Sequence, residues 1–109
     1  MIGYVTELNN DTFEEFIKRK FTLININASW CDVSKGVRSS IVETSSMYYN
    51  IVSFGQIDSD KNLETVEKIK IRNVPTVLLF KDGVEIDRLG NSIDTESISE
   101  MINRNLEIG

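Results

Sequence analysis

Residues 21–27, Phe-Thr-Leu-Ile-Asn-Ile-Asn, limit the fold more than any other stretch of the chain. Their β-branched content favours a strand. Their near-continuous apolar character, in place of an in-out alternation, predicts burial on both faces. A strand covered on both faces requires further layers on each side of its sheet. In a chain of 109 residues those layers are most economically helices.

The remaining segments supply such layers. Residues 1–8 read as a first strand and 9–20 as a helix, with Asp11 and Glu14 at capping-box spacing and Phe13, Phe16 and Ile17 on one face. A second helix runs from Cys31 to about residue 49, although Gly36 and several serines weaken its propensity. Residues 51–57 form a third strand, and a polar turn leads to a short helix over 63–71, apolar at Leu63, Val66 and Ile69. Residues 75–80 and 84–89 are strands joined by Lys81-Asp82-Gly83, and Asp-Gly is a strong hairpin signal. Residues 94–106 close the chain as a helix, N-capped by Asp94 or Thr95, with Ile98, Met101 and Ile102 on one face. The order β-α-β-α-β-α-β-β-α implies an α/β fold with a mixed sheet and helices on both faces. With no repeat, linker or low-complexity stretch, residues 1–109 are expected to form one domain.

Composition narrows the function. Twelve basic against 17 acidic residues give a net charge of -5, and no basic cluster is present to neutralise phosphates, so no nucleic-acid partner is expected. No run is apolar for long enough to span a bilayer, and residues 1–11 have no basic start leading into an apolar stretch, so neither membrane association nor a signal peptide is expected. The absence of histidine removes the commonest metal ligand and general base. No metal site and no cofactor are expected. A single cysteine, Cys31, cannot build a disulfide framework, which suits a reducing, cytoplasmic setting.

Cys31 is placed where a buried strand gives way to a helix. Free N–H groups and the positive end of the helix dipole favour a thiolate there and can draw a cysteine pKa from about 8.5 to about 7 or lower. Ser34, one turn on, can donate a hydrogen bond to the sulfur. Asp32 opposes ionisation, and Lys35 partly offsets it. A buried structural thiol is the alternative reading.

Ala28-Ser29-Trp30-Cys31-Asp32-Val33-Ser34-Lys35, then residues 56–62, then Val74-Pro75-Thr76 with Phe80 and Gly83, and finally Gly90, together resemble a thioredoxin over essentially the whole chain. The resemblance implies the thioredoxin fold, a cis bond between Val74 and Pro75 beside the cysteine, and a substrate groove formed by Trp30, Asp32, Val33, Val74, Pro75 and Thr76. Cys31 and Ser34 occupy the positions of the family's two catalytic cysteines. Three departures coincide. Ser34 replaces the second cysteine, Asn25 stands at the family's buried acid, and Phe54 is aligned with a lysine that partners that acid. Without a second thiol to deprotonate, a buried carboxylate would only carry a desolvation cost. Asn25 can equally be a hydrogen-bonded core residue. Asp32-Val33 also replaces the motif's Gly-Pro, and Ser39 a kinking proline.

The expected function is thiol–disulfide exchange through Cys31, the adduct being resolved by an external thiol because a serine cannot do it. The partner would be a disulfide- or thiol-bearing protein, or glutathione. Three alternatives stand beside this reading: a non-catalytic binding module using the same groove, a Cys-to-Ser variant of an ordinary thioredoxin, and a monothiol glutaredoxin. Trp30 and the lack of a later Gly-Gly motif speak against the last. Joint loss of the acid and the lysine speaks against a single engineered change.

Overall fold

The structure, a computed structural model, describes residues 3–108. Its elements are β1 (Val5–Leu8), α1 (Phe13–Phe16), β2 (Phe21–Asn27), α2 (Asp32–Tyr48), β3 (Ser53–Asp58), α3 (Leu63–Lys68), β4 (Thr76–Lys81), β5 (Val84–Leu89) and α4 (Thr95–Ile108). The five strands form one sheet in the order β1-β3-β2-β4-β5. β1 and β2 flank β3 in parallel, while β4 and β5 run antiparallel to their neighbours. β2 is central, and all seven of its residues are buried.

Each face of the sheet carries its own core. On one, Leu23, Phe54, Val77 and Leu79 meet Val37 and Ile41 of α2 and Ile98, Met101 and Ile102 of α4. On the other, Ile24, Ile26, Ile57 and Leu78 meet Phe13 and Phe16 of α1, with Val66 of α3 at the margin. Gly55 lets α1 approach that face. A Cβ there would lie 2.7 Å from Leu8 Cδ1 and 3.0 Å from Phe16 Cε2. The β4–β5 turn places Asp82 and Gly83 at φ 50° and 87°, the two positive values that a tight two-residue hairpin demands.

The helices differ from the sequence reading in extent. The first predicted helix begins at residue 9, yet α1 is a single turn from Phe13. Asn9, and not Asp11, organises its entry: Asn9 Oδ1 accepts the backbone N–H groups of Asp11 (2.8 Å) and Thr12 (3.0 Å). α3 stops at Lys68 because Lys70 adopts φ 56° and the Ile71 N–H turns back to the Val66 carbonyl at 3.0 Å. Arg88 of β5 then donates to the Ile69 and Lys70 carbonyls. Leu63, predicted to face the core, is 63% exposed. At α4 the choice between two caps resolves to Asp94, whose Oδ1 accepts the Ser97 N–H (2.8 Å) while its own N–H donates to Ser97 Oγ (2.9 Å). Residues 1 and 2 of the predicted first strand lie outside the described residues.

Candidate functional site

β2 ends at Asn27, a tight turn follows in which the Cys31 N–H donates to the Ala28 carbonyl (3.1 Å), and Cys31 is the N-cap of α2. Its backbone is extended (φ -94°, ψ 117°), and its thiol is partly exposed. Ser34 is buried, and its Oγ accepts the Ala28 N–H at 3.4 Å. The backbone N–H of Ser34, followed by its hydroxyl and the Val33 N–H, holds the Cys31 pKa below its ordinary value against the opposing effects of burial and the Asp32 charge. Cys31 is the sole cysteine and is free.

Val74–Pro75, joined by a cis peptide bond, lies across a groove from Cys31. The groove has a volume of about 490 Å³ and takes its apolar wall from Val33, Val37, Val74, Pro75 and Ile93. Its far side is the loop from Gly90 to Asp94. Two hydrogen bonds fix the arrangement: Thr76 Oγ1 donates to the Asn73 carbonyl (2.7 Å), and Asn73 Nδ2 donates to the Gly90 carbonyl (3.3 Å). No motif in the sequence marks Asn91, Ser92 and Ile93 as groove residues. The one signal available was their position between a strand-ending glycine and a helix cap.

Other expected groove residues stand elsewhere. Trp30 is 68% exposed and is therefore not core filler; it lines a second groove, of about 460 Å³, with Asp60, Leu63, Arg72 and Val74. Val74 separates the two grooves. Thr76 is buried at the start of β4, and its hydroxyl is engaged in fastening the proline loop. The Asp32 side chain is exposed and faces Lys35 across 3.6 Å on the outer surface of α2. Neither Thr76 nor Asp32 lines the groove beside Cys31.

Asn25 is 0% exposed, and neither its Oδ1 nor its Nδ2 has a hydrogen-bond partner, so it is not the satisfied core residue that burial usually demands. The strand register also moves its expected neighbour. Gln56, not Phe54, is level with Asn25 on β3, and Gln56 Nε2 donates to Glu7 Oε1 at 2.7 Å. Phe54 is level with Leu23 and belongs to the apolar core. Among the described residues, no cluster of three His, Cys, Asp or Glu side chains could hold a metal ion, and no helix is long and apolar enough to cross a membrane.

A cysteine at a strand-to-helix junction, faced across a groove by a cis-proline, on a mixed five-stranded sheet with helices on both faces, defines a class of thiol-bearing α/β proteins. The family model described as thioredoxin matches residues 4–104, and the chain belongs to the thioredoxin family. It is similar to a thioredoxin of Chlamydia pneumoniae, 29% identical over 97 residues that cover 89% of this chain and 94% of that one. A thioredoxin of Staphylococcus saprophyticus is 24% identical over 102 residues, covering 94% and 98%. The crystal structure of a Malassezia sympodialis thioredoxin superposes with a TM-score of 0.86 at 25% identity, covering 94% of this chain and 90% of that one.

Proposed function

We propose that this chain carries out thiol–disulfide exchange as a monothiol, with Cys31 the nucleophile and an external thiol the resolving group. The carrying observation is the position of the sole cysteine, at the head of α2 and beside an apolar groove, with its thiol pKa held below the ordinary value by the Ser34 backbone N–H and hydroxyl. The Cys31 thiolate attacks one sulfur of a partner disulfide. That S–S bond breaks, its other sulfur leaves as a thiolate, and a Cys31–partner disulfide forms. A second thiolate, from glutathione or another protein, then attacks the partner's sulfur in the adduct and releases Cys31 as thiolate. Ser34 cannot take that second role, because its alkoxide is inaccessible near neutral pH.

Thioredoxin-family membership supports disulfide- or thiol-bearing proteins as partners. The lone cysteine supports work in a reducing compartment such as the cytoplasm. The test is the rate of Cys31 alkylation against pH, together with the mass of the adduct formed with glutathione disulfide. An inflection below about 8.5 and one glutathione per chain are expected. Ser34→Ala should move the inflection upward. An inflection above that value with no adduct would favour a binding module that uses the groove without chemistry.

A further inference from the structure

The groove beside Cys31 has a single ionisable wall residue besides the cysteine itself, Asp94. Around it the lining is apolar, from Val33, Val37, Val74, Pro75 and Ile93, or uncharged. The carboxylate is exposed, yet it is not free to wander, because Oδ1 is held by the Ser97 N–H at 2.8 Å and the adjacent backbone N–H donates to Ser97 Oγ. That capping also keeps its pKa below the ordinary aspartate value, so it is charged throughout the neutral range. No lysine or arginine lines this groove, and among the described residues no cation forms an ion pair with Asp94. A fixed anion at the edge of an apolar groove, on a chain of net charge -5, is complementary to a segment that pairs an apolar side chain with a cation.

We infer that Asp94 sets partner specificity: the segment docked beside Cys31 is a disulfide-bearing peptide with a lysine or arginine within a few residues of its reacting cysteine, seated against the Asp94 carboxylate. This rests on the exchange chemistry proposed above and names the class of substrate it selects. The apolar neighbour of that cysteine enters the groove, and the cation stays at its rim. The second groove differs in this respect, since Asp60 and Arg72 both line it and their charges offset. One exposed ion pair is worth roughly 1.4- to 5-fold in rate. Exchanging a cation for an anion at the same position counts the attraction and the repulsion together.

The experiment uses three matched peptides, each with one cysteine held as a mixed disulfide with thionitrobenzoate and a leucine beside it. They carry Lys, Gln or Glu within three residues of the cysteine, placed in turn on either side. Cys31 attacks the peptide sulfur, the Cys31–peptide disulfide forms, and thionitrobenzoate leaves as a coloured thiolate. At low salt the Lys peptide should react about two- to ten-fold faster than the Glu peptide on at least one side, with Gln between. In ~1 M salt, where the screening length is about 3 Å, the ratio should fall toward one. Asp94→Asn keeps a capping oxygen but removes the charge, so the ratio should drop at least twofold while the chain still folds cooperatively. Asp94→Ser provides a second cap-preserving variant should the first lose stability.

Glu43→Gln removes the same charge from an exposed site twelve residues along α2, about 18 Å from Cys31, and should leave the ratio intact. A ratio near one in the parent, or an equal drop in Asp94→Asn and Glu43→Gln, overturns the inference and leaves the exchange chemistry standing. Failure of every peptide to form an adduct overturns both.

Discussion

At the scale of single residues, a carboxamide sealed in a core costs about 1–3 kcal/mol for each polar group left unmatched. Asn25 is fully buried on the central strand with both amide atoms unpartnered, between Gln56 on one side and Val77 on the other. Its removal should therefore stabilise the fold. Asn25→Val is expected to raise the unfolding free energy by about 1–3 kcal/mol, read from urea denaturation, whereas Asn25→Asp should lower it. A loss of stability on Asn25→Val would mean that the amide is satisfied in solution, for instance by a buried water. The resemblance identified Asn25 as a departure from a buried acid, but the sequence could not say that the residue beside it is Gln56. A shift of two positions along a strand keeps the same face of the sheet, so Phe54 and Gln56 fit the pattern equally well until the register selects one.

Among the elements, α1 shows how little local signal a short helix needs when packing holds it. Its single turn is anchored by Phe13 and Phe16 pressed into the sheet, and its approach depends on Gly55. A methyl group there would lie too close to both Leu8 and Phe16, on a strand with little room to shift. Gly55→Ala should cost about 1–3 kcal/mol from overpacking, in spite of the better β-propensity of alanine. The thermal midpoint of the variant measures it, and an unchanged midpoint would show that Phe16 moves aside freely. In the sequence, the apolar positions 13, 16 and 17 marked a helix face correctly, but not the helix length. Hydrogen bonds that Asn9 Oδ1 accepts from the Asp11 and Thr12 N–H groups compete with helical pairing before residue 13, and beyond Phe16 the Lys18 and Arg19 N–H groups reach back only three residues, to the Glu15 and Phe16 carbonyls. Arg88 likewise caps the end of α3 from a strand far away in the sequence, a contact that no local pattern announces.

For the whole molecule, acid stability follows from the carboxylates that folding ties down. Burial pushes the Asp87 pKa up, but hydrogen bonds from Arg104 (2.7 Å) and Asn105 (2.8 Å), the Arg88 N–H and the Arg104 charge together hold it below its ordinary 3.8. Asp94 is held below 3.8 by the Ser97 N–H first. A folded pKa below the unfolded one means that the folded state binds protons less readily. The stabilisation is therefore complete above about 3.8 and lost as pH falls through the folded values. Urea midpoints should be level between about pH 5 and 7 and decline below about 4. Asp87→Asn should make that decline shallower, and an identical acid slope in the variant would show that Asp87 contributes nothing to it.

Local chemistry by itself determined that residues 21–27 are a doubly covered strand, that Asp82-Gly83 turns a hairpin, and that Cys31 begins a helix. Each of these depends on side-chain branching, backbone freedom or apolar periodicity within a few residues, and such properties travel with the sequence. The grouping of motifs added the thioredoxin fold. Only the tertiary structure decided which residues share the cysteine's groove. It brings Gly90 to Asp94 in from the far end of the chain, turns Thr76 inward and sets Trp30 on the other side of Val74. It also leaves Asn25 without a partner. Those outcomes depend on strand register and loop packing between segments dozens of residues apart, and the free energies involved belong to contacts that do not exist until the sheet has closed.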